Sequence, residues 1–389
     1  MRLLYLNHNP AGVGTWQRAS NFGKAMALRG HEVTLVTTHP RQRVGFEESS
    51  FGSYTEVRTP DLFSGPARTG WDPSNALRRV LRLRGTQVDL VHAFDSRPVV
   101  IAPALDVVRR TGAALFMDWA DWWGRGGRIQ ERSGWWVRTL FSPIETWFEE
   151  RFRTRANGTT TVSRALAVRA AGLGVAGERI WTLPNGCDAT GAFPCPTAEA
   201  RRALGVPVGT PLVLHVGVLT PADMAQLTDA VRYVAVRLRD VRLVLVGNHT
   251  APVPRGALRS GRVSALGFVS REVLSLWLAA ADLCVIPLTD TPNNRGRWPG
   301  RLNDYLAAGK PIVMPRVGDA AELVEATGAG WTCDANAQSM ARFMLAALRD
   351  PAAREAAGAK ARALAAGPLA WPVLAERMES AYRTVLGQG

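Results

Sequence analysis

Hydrophobic positions recur along the chain with two periods that alternate. Residues 2–7 are almost continuously apolar and predict a buried strand. The next segment has apolar residues at helical spacing, and Gly30 stands where such a helix should end. The spaced residues are Trp16, Ala19, Phe22, Ala25 and Met26. A second apolar run, HEVTLVT, then completes a strand–helix–strand unit, which predicts a parallel sheet.

The alternation continues in two series that a linker rich in Pro, Gly and Ala separates. The first contains VDLVHAF, PVVIAPALDVVRR, AALFMDW, GTTTVS and RIWTLPNG; the second contains LVLHVGV, VRLVLVGN, VSALGFV, ADLCVIPL and PIVMP. We therefore predict an α/β fold with two Rossmann-like domains that face each other across a cleft, with ligands at the carboxyl ends of the strands. The domains are predicted at 1–190 and 191–368, followed by an amphipathic helix within 369–389.

The charge of the chain is strongly positive. Of its 47 basic residues 44 are arginine, and the formal net charge is +14 over 389 residues. Such an excess favours a polyanionic neighbour, either phospholipid headgroups or nucleic acid, although a compositional bias towards arginine is an equal alternative. No apolar run is long enough for a membrane span, so we expect a cytoplasmic protein whose membrane contact, if any, is peripheral. The four cysteines show no zinc-binding spacing, and we predict no metal site.

The loop after the first strand contains Gly12 and Gly14. Gln17 stands where a dinucleotide-binding fingerprint would place its third glycine, which disfavours an NAD site. A loop of this kind can still let a phosphorylated ligand approach backbone amides at the start of a helix.

The stretch LFMDWADWWGRGGR places two carboxylates at the end of a predicted strand. We consider Asp121 and Asp118 the catalytic candidates, because carboxylates at this edge of a parallel sheet face the ligand crevice. Trp119, Trp122 and Trp123 are candidates for stacking on a sugar acceptor. The alternative is that these residues are core aromatics and helix-capping aspartates.

The strongest local signal is NNRGRWPGRLNDYLAAGKPIVMP, in which three arginines precede and begin a short helix. Arg295, Arg297 and Arg301 beside exposed helix amides predict a diphosphate site. Asp304, one turn after Arg301, is predicted to accept hydrogen bonds from sugar hydroxyls. A surface ion pair is the plainer alternative.

Two further signals remain open. Residues 135–153 show apolar residues at helical spacing, which favours a helix that faces the core, whereas its arginines and tryptophans also fit a membrane-facing surface. His8, His92 and His215 each end a predicted strand, and for each of them a position at the cleft and a structural role both stay open.

The order of these motifs resembles the GT-B glycosyltransferases, in particular family four of the retaining enzymes. The resemblance covers nearly the whole chain, from NPAGVGTWQRASNFGKAMALRGHEVTLVT through TTTVSRAL, RIWTLPNGCD and HVGV to RLNDYLAAGKPIV. It implies that Gly12 and Gly14 lie at the donor phosphates and that Asp304 takes the place of the ribose-binding glutamate. It also implies that the final helix crosses back to pack on the first domain.

The sequence departs from the family in three places. Gly296 occupies the first position of the acidic pair, and HVGVLTPADMAQL lacks the usual Arg and Lys, so phosphate binding would fall to Arg295, Arg297 and Arg301. The family histidine after the fourth strand has no clear counterpart.

We therefore expect a glycosyltransferase that moves a sugar from a UDP- or GDP-linked donor to an acceptor hydroxyl, with no cofactor. The resemblance implies a retaining reaction, and the absence of a metal-binding Asp-x-Asp motif favours a metal-independent one. The acceptor is either lipid-linked or a polysaccharide, at an anionic membrane surface in the first case. The alternatives are a glycosyltransferase that modifies nucleic acid, a nucleotide-sugar epimerase and an inactive sugar-nucleotide-binding subunit.

Overall fold

The computed structural model of the chain contains two compact units. It describes residues 1–41, 44–63, 65–131, 134–189, 195–248 and 252–388. Unit 1 comprises Met1–Asn185 and Trp371–Gly389, and unit 2 comprises Gly186–Ala370. The boundary that the sequence predicts between residues 190 and 191 lies outside the described residues.

Unit 1 is built on a sheet that has eight strands in the described residues. The strands are β1 (Arg2–Pro10), β2 (Glu32–Thr38), β3 (Glu47–Phe51), β4 (Tyr54–Thr59), β5 (Leu90–Phe94), β6 (Ala114–Trp119), β7 (Gly158–Thr161) and β8 (Ile180–Thr182). The helices before unit 2 are α1 (Thr15–Leu28), α2 (Pro73–Arg82), α3 (Pro98–Thr111), α4 (Trp135–Arg151) and α5 (Arg164–Gly172). The strand order is β3-β4-β2-β1-β5-β6-β7-β8, and every neighbouring pair except β3–β4 is parallel.

Helix α1 shows how the apolar spacing determines local structure. Its positions Ala19, Phe22 and Met26 are buried in the core that also contains residues of β1 and β2, as the spacing predicts. The helix begins after Gly14, and the side chain of Asn9 accepts a hydrogen bond from the Thr15 amide at 2.8 Å. One of the amides that a helix start leaves without a partner is thereby satisfied.

The β3–β4 hairpin is an element that the sequence analysis missed. The two strands are antiparallel and joined by two residues, Gly52 and Ser53, with a φ of 61° at Gly52. A two-residue turn of this kind favours glycine because its backbone needs a positive φ. The strands carry polar and apolar residues in an irregular order, so their pattern resembles a loop.

Unit 2 is built on a parallel sheet that has six strands in the described residues. The strands are β9 (Leu212–Val216), β10 (Arg242–Val246), β11 (Val263–Gly267), β12 (Leu283–Val285), β13 (Ile312–Pro315) and β14 (Gly330–Cys333), in the order β11-β10-β9-β12-β13-β14. The helices are α6 (Thr197–Ala203), α7 (Pro221–Ala235), α8 (Arg255–Arg259), α9 (Arg271–Ala280), α10 (Pro292–Gly296), α11 (Gly300–Ala307), α12 (Gly318–Thr327), α13 (Ala337–Arg349) and α14 (Pro351–Ala366).

The last helix, α15 (Trp371–Val385), packs on unit 1. Leu374, Met378 and Tyr382 lie in the same buried cluster as Tyr5 of β1. The hydroxyl groups of Tyr5 and Tyr382 are 3.0 Å apart, within hydrogen-bond distance. The prediction of two Rossmann-like α/β domains with a final helix that returns to the first is thus confirmed.

Helix α4 corrects one prediction. The expectation that its apolar residues face the core is wrong for Trp136, Leu140, Ile144 and Trp147, which are exposed. Its buried residues include Glu145 and Glu149 instead. The apolar spacing was correct for a helix but did not show which face lies inside.

The packing of α15 can be tested by truncating one buried side chain. We expect Met378→Ala to lower the thermal midpoint of unit 1, because truncating a buried methionine costs about 2–5 kcal/mol. Differential scanning calorimetry measures this, with Ser380→Ala, an exposed position of the same helix, as the control. Equal midpoints for the two variants would contradict the packing described here.

Candidate functional site

Each sheet has one place where the strand order reverses, and this place locates a candidate site. In unit 1 the chain passes from β1 outwards to β2, and later to β5 on the other side of β1. In unit 2, β9 lies between β10 and β12 in the same way. Parallel α/β sheets bind ligands in the crevice at the carboxyl ends of such strands. The loops after β1 and β5, and after β9 and β12, are therefore the places to examine.

In unit 1, a small pocket lies at this edge of the sheet. Its lining residues are Thr15, Asp95, Asp118, Trp119, Ala120, Asp121, Trp123 and Arg153. The structure thus brings together both predicted catalytic aspartates and two of the three predicted tryptophans.

The carboxylate of Asp118 has hydrogen-bond and ion-pair partners within the protein. Nε and Nη2 of Arg18 donate to its two carboxylate oxygens, each at 2.9 Å, and the Thr160 hydroxyl donates to Oδ1 at 2.6 Å. Both members of the ion pair are buried. This bidentate pair fixes the end of β6 and gives Asp118 a structural task.

Asp121 stands in the loop that follows β6 and is half-buried. A single carboxylate, Glu149 of α4, holds this loop. Glu149 accepts hydrogen bonds from the Trp119 indole at 3.0 Å and from the amides of Trp123 and Gly124 at 2.7 and 2.8 Å. Burial raises the pKa of Glu149, against the lowering effect of Arg153 and Arg169. Asp121 is therefore carried by a fixed loop and is the better placed of the two catalytic candidates.

The three predicted tryptophans have different surroundings. Trp119 is buried, and the guanidinium carbon of Arg153 lies 4.0 Å from the centre of its ring. Trp122 and Trp123 are half-buried, and each has an arginine over its ring, Arg169 at 4.3 Å and Arg97 at 4.9 Å respectively. Trp123 has a second arginine near its ring, Arg128 at 5.0 Å. Stacking of these tryptophans on an acceptor stays a prediction.

Asp95, which the sequence analysis missed, directly follows β5 in the same pocket. Its φ is 107°, a backbone conformation that non-glycine residues rarely adopt and that is concentrated at functional sites. Its Oδ2 lies 3.1 Å from Nδ1 of His8. Burial alone would raise the pKa of Asp95, but His8 and Arg97 outweigh it and lower the pKa. The sequence signal, an acid at the end of an apolar run, is the same one that drew attention to Asp118, which lies within β6.

Two of the three histidines that the sequence places at strand ends belong to unit 1, and both are buried, but His92 lies in the middle of β5. Burial lowers the pKa of His8 to about 4 and that of His92 to about 3, so both are neutral near pH 7. His92 contacts the Tyr382 hydroxyl at 2.5 Å and the Thr160 hydroxyl at 3.1 Å. His92 is therefore structural, whereas His8 stands beside Asp95.

In unit 2, Arg301 extends from the first turn of α11 to the carboxyl end of β9. Nη1 donates to Nε2 of His215 at 2.8 Å, and Nη2 donates to the Val218 carbonyl at 3.1 Å. Burial lowers the pKa of Arg301 to about 10, with a further contribution from the charge of Arg297. The guanidinium group remains charged at neutral pH in a half-buried position.

His215 orients this arginine. Its Nδ1 lies 3.0 Å from the Val285 carbonyl, which can only accept, so Nδ1 carries the proton and Nε2 accepts from Arg301. His215 thus joins the ends of β9 and β12 to α11. The sequence placed His215 at a strand end but could not show its partner.

Gly217 makes room for the guanidinium group. Its φ is 109°, and a Cβ at this position would lie 3.2 Å from Cζ of Arg301. Any other residue would therefore strain the backbone and press on the arginine.

Asp304, on the same helix, is exposed. Surrounding protein nevertheless raises its pKa to about 6, an effect that Arg271 partly opposes. Its charge consequently changes in a range close to neutral pH. Asp304 and Arg301 both belong to α11, as the sequence predicts.

The other two arginines of this stretch differ from Arg301. Arg295 is exposed and forms a two-bond ion pair with Asp290, at 2.6 and 2.7 Å. This ion pair was not predicted, since the alternative in the sequence analysis concerned Arg301 and Asp304. Arg297 is half-buried and acts electrostatically on Arg301. That Arg301 and Arg297 bind one anion together stays a prediction.

Gly12 and Gly14 lie in unit 1, in the loop between β1 and α1. Both have a positive φ, and a Cβ on Gly14 would lie 2.6 Å from Oδ1 of Asn9. The loop therefore depends on glycine, and its predicted contact with donor phosphates stays a prediction.

Two family models match the chain. Residues 14–190 match Glycosyltransferase Family 4, and residues 210–350 match Glycosyl transferases group 1. No curated protein gives a significant match over the sequence.

Solved structures resemble the chain over its full length. Sucrose-phosphate synthase from Thermosynechococcus elongatus has a TM-score of 0.75 at 17% identity, with 100% of each chain covered. HepE of Anabaena in complex with UDP has a TM-score of 0.70 at 18% identity, covering 99% of this chain and 100% of its own. WaaG, a glycosyltransferase involved in lipopolysaccharide biosynthesis, gives the same TM-score, identity and two coverages. At these identities the likeness concerns the fold.

The different roles of Asp118 and Asp121 can be distinguished by the thermal stability of variants at the two positions. We expect Asp118→Asn to lower the thermal midpoint of unit 1 strongly, because removing one charge of a buried ion pair costs about 3–5 kcal/mol. Asp121→Asn, a half-buried loop position, should leave the midpoint nearly unchanged. Calorimetry of both variants decides, and equal shifts would show that the Arg18 pair is not what holds Asp118.

Proposed function

The chain belongs to the GT-B glycosyltransferases, and we propose that it transfers a sugar from a nucleoside diphosphate sugar to an acceptor hydroxyl. One observation carries the proposal: a charged, half-buried arginine stands at the reversal point of the sheet in unit 2, oriented by His215. A diphosphate is the ligand that such a position fits.

The hydrogen-bond capacity of Arg301 supports this assignment. A guanidinium group has five N–H donors, and His215 and Val218 accept two of them. Among the described residues these are the two hydrogen-bond acceptors of Arg301, so N–H donors remain for a ligand. UDP is the ligand in the HepE complex, and we propose a UDP- or GDP-linked donor for this chain.

The same group would stabilise the departing diphosphate. Negative charge develops on the leaving phosphate in the transition state, and a fixed positive charge that need not reorganise lowers that barrier. We propose that Arg301 and Arg297 supply this charge and that no metal ion is needed. A retaining outcome follows from the family resemblance.

The acceptor side of the proposal rests on unit 1. Asp121 is held on the loop that Glu149 fixes, and we propose that it orients or deprotonates the attacking hydroxyl group. Asp95 is a second candidate because it lines the same pocket and has a strained backbone of the kind that is concentrated at functional sites. Trp122 and Trp123 offer ring faces for an acceptor sugar, which we propose to be lipid-linked or part of a polysaccharide.

The donor site can be tested by the difference between a diphosphate and its nucleoside. We expect Arg301→Ala to weaken binding of the nucleoside diphosphate by about 1.5–3 kcal/mol, the value of a charge-assisted hydrogen bond, and to leave the nucleoside unaffected. Calorimetric titration with UDP, GDP, ADP and TDP and with the matching nucleosides measures both.

Arg349→Ala serves as the control, because Arg349 is an exposed arginine at the end of α13. If Arg301→Ala weakens the nucleoside and the diphosphate equally, the arginine does not contact the phosphates and the assignment fails.

The proposed contact between Asp304 and the donor ribose predicts that the affinity for the donor depends on pH. The raised pKa of Asp304, about 6, means that the carboxylate is charged at pH 7.5 and becomes protonated as the pH falls towards 5. Affinity for the donor should then fall over this range, because a protonated carboxyl group is a weaker acceptor for ribose hydroxyls.

A UDP-sugar is the proper ligand for this titration, since its phosphates stay charged across the range. Asp304→Asn should bind more weakly at pH 7.5 and show no such pH dependence. An unchanged slope in this variant would mean that another group titrates and that Asp304 does not hold the ribose.

A further inference from the structure

Helix α4 has the reverse of the usual polarity. Six large apolar side chains on it are between 45% and 72% exposed: Trp135, Trp136, Leu140, Phe141, Ile144 and Trp147. Trp136, Leu140, Ile144 and Trp147 share one face of the helix, and Trp135 and Phe141 flank it on either side. We call these six residues the α4 outer face. Glu145 and Glu149 of the same helix are buried. A helix at a protein surface normally turns its apolar residues inwards, so this exposure requires a cause.

Buried charges hold the helix in this orientation. Nη2 of Arg97 lies 2.6 Å from Glu145, and both side chains are almost fully buried. Glu149 accepts the hydrogen bonds of the loop after β6, from the Trp119 indole and the Trp123 and Gly124 amides. Rotating α4 to bury its apolar face would break all of these contacts and leave charges without partners. The exposure is therefore built into unit 1.

The charges near the outer face have one sign. Among the described residues from 134 to 155, every exposed charged side chain is an arginine: Arg138, Arg151 and Arg155. The carboxylates of this segment are turned away, with Glu145 and Glu149 buried and Glu150 paired to Arg169 at 2.7 Å. An apolar surface flanked by arginines is complementary to a layer that has an anionic outer surface and an apolar interior.

We propose that the α4 outer face binds the surface of an anionic phospholipid bilayer. Three of its six residues are tryptophan, whose amphipathic ring favours the level of the headgroups. Leu140, Phe141 and Ile144 enter the acyl boundary, and the arginines meet lipid phosphates, which the net charge of +14 reinforces. The contact is peripheral, since no helix in the described part of the chain has the length and apolarity to cross a membrane.

A bilayer fits this surface better than a second copy of the chain or a nucleic acid. A second copy would bring the same arginines close to one another without carboxylates to pair them. A nucleic acid would use the arginines but would leave the aliphatic residues in water. Binding to a bilayer does not depend on the proposed transfer reaction. Where both hold, the loop with Asp121 is tied through Glu149 to the membrane-bound helix, and the acceptor is a lipid-linked one.

The test is flotation of the full chain with vesicles. We expect wild-type protein to float with vesicles of phosphatidylcholine and phosphatidylglycerol and to bind pure phosphatidylcholine much less. Raising the salt from about 0.1 M to about 0.5 M NaCl should weaken the binding, because the lipid-phosphate contacts are screened. Absence of binding to anionic vesicles at the lower salt concentration overturns the proposal.

Two variants probe the two components of the surface. Trp136→Ser with Trp147→Ser should lower the partition coefficient by roughly tenfold or more, since the apolar contact is lost. Arg138→Gln with Arg151→Gln should remove most of the preference for anionic lipid. Leu28→Ser, which alters an exposed leucine on α1, is the matched control and should bind as wild type does. Tryptophan variants that bind like the control overturn the proposal.

Separate measurements distinguish the other occupants. Light scattering would overturn the proposal if the wild-type protein were a dimer that does not bind vesicles and that the tryptophan substitutions dissociate. The α4 outer face would then be assigned to a second copy of the chain. Binding to an oligonucleotide that the tryptophan substitutions weaken, again without vesicle binding, would also overturn the proposal. Nucleoside diphosphate affinity, measured on each variant, should be unchanged, so that failure of the membrane proposal is not confused with failure of the donor site.

Discussion

Charges without access to water must meet opposite charges or a full set of hydrogen bonds, and unit 1 is organised by this constraint. Arg18 with Asp118 fixes the end of β6, and Arg97 with Glu145 fixes α4. Glu149 connects the two, because it belongs to α4 and holds the loop that follows β6. Each pair alone adds little net stability, since desolvation offsets attraction. Their effect is geometric: they allow one arrangement of loop and helix and exclude the others.

Much of the fold could be predicted from periodicity. The spacing of Ala19, Phe22 and Met26 gave α1 correctly, because in a helix that covers a sheet the apolar period and the buried face coincide. The same reasoning gave the wrong face for α4, where buried ion pairs rather than apolar burial decide the orientation. Periodicity is a pattern of apolar residues along one element. It therefore cannot show that the Glu145 carboxylate is paired with Arg97, which lies outside α4. The β3–β4 hairpin was missed because its strands lack a clear alternation.

The candidate sites were predictable at the level of loops. The end of β6 and the start of α11 were both identified from charged residues after apolar runs. What sequence could not show is which members of each group already have partners. Asp118 and Arg295 are engaged by Arg18 and Asp290, whereas Arg301 is oriented by His215 from a strand more than eighty residues earlier. Such contacts arise only when the sheet brings distant strand ends together.

The return of α15 to unit 1 has a consequence for the order of events during synthesis. Unit 2 is continuous in sequence, but unit 1 needs Leu374, Met378 and Tyr382 to complete the cluster around Tyr5. A ribosome therefore makes the whole of unit 2 before the last part of unit 1. Until then the apolar residues that α15 covers within residues 1–185 are exposed to water, where a chaperone or another nascent chain can bind them. Packing of α15 is thus the closing step in the folding of unit 1.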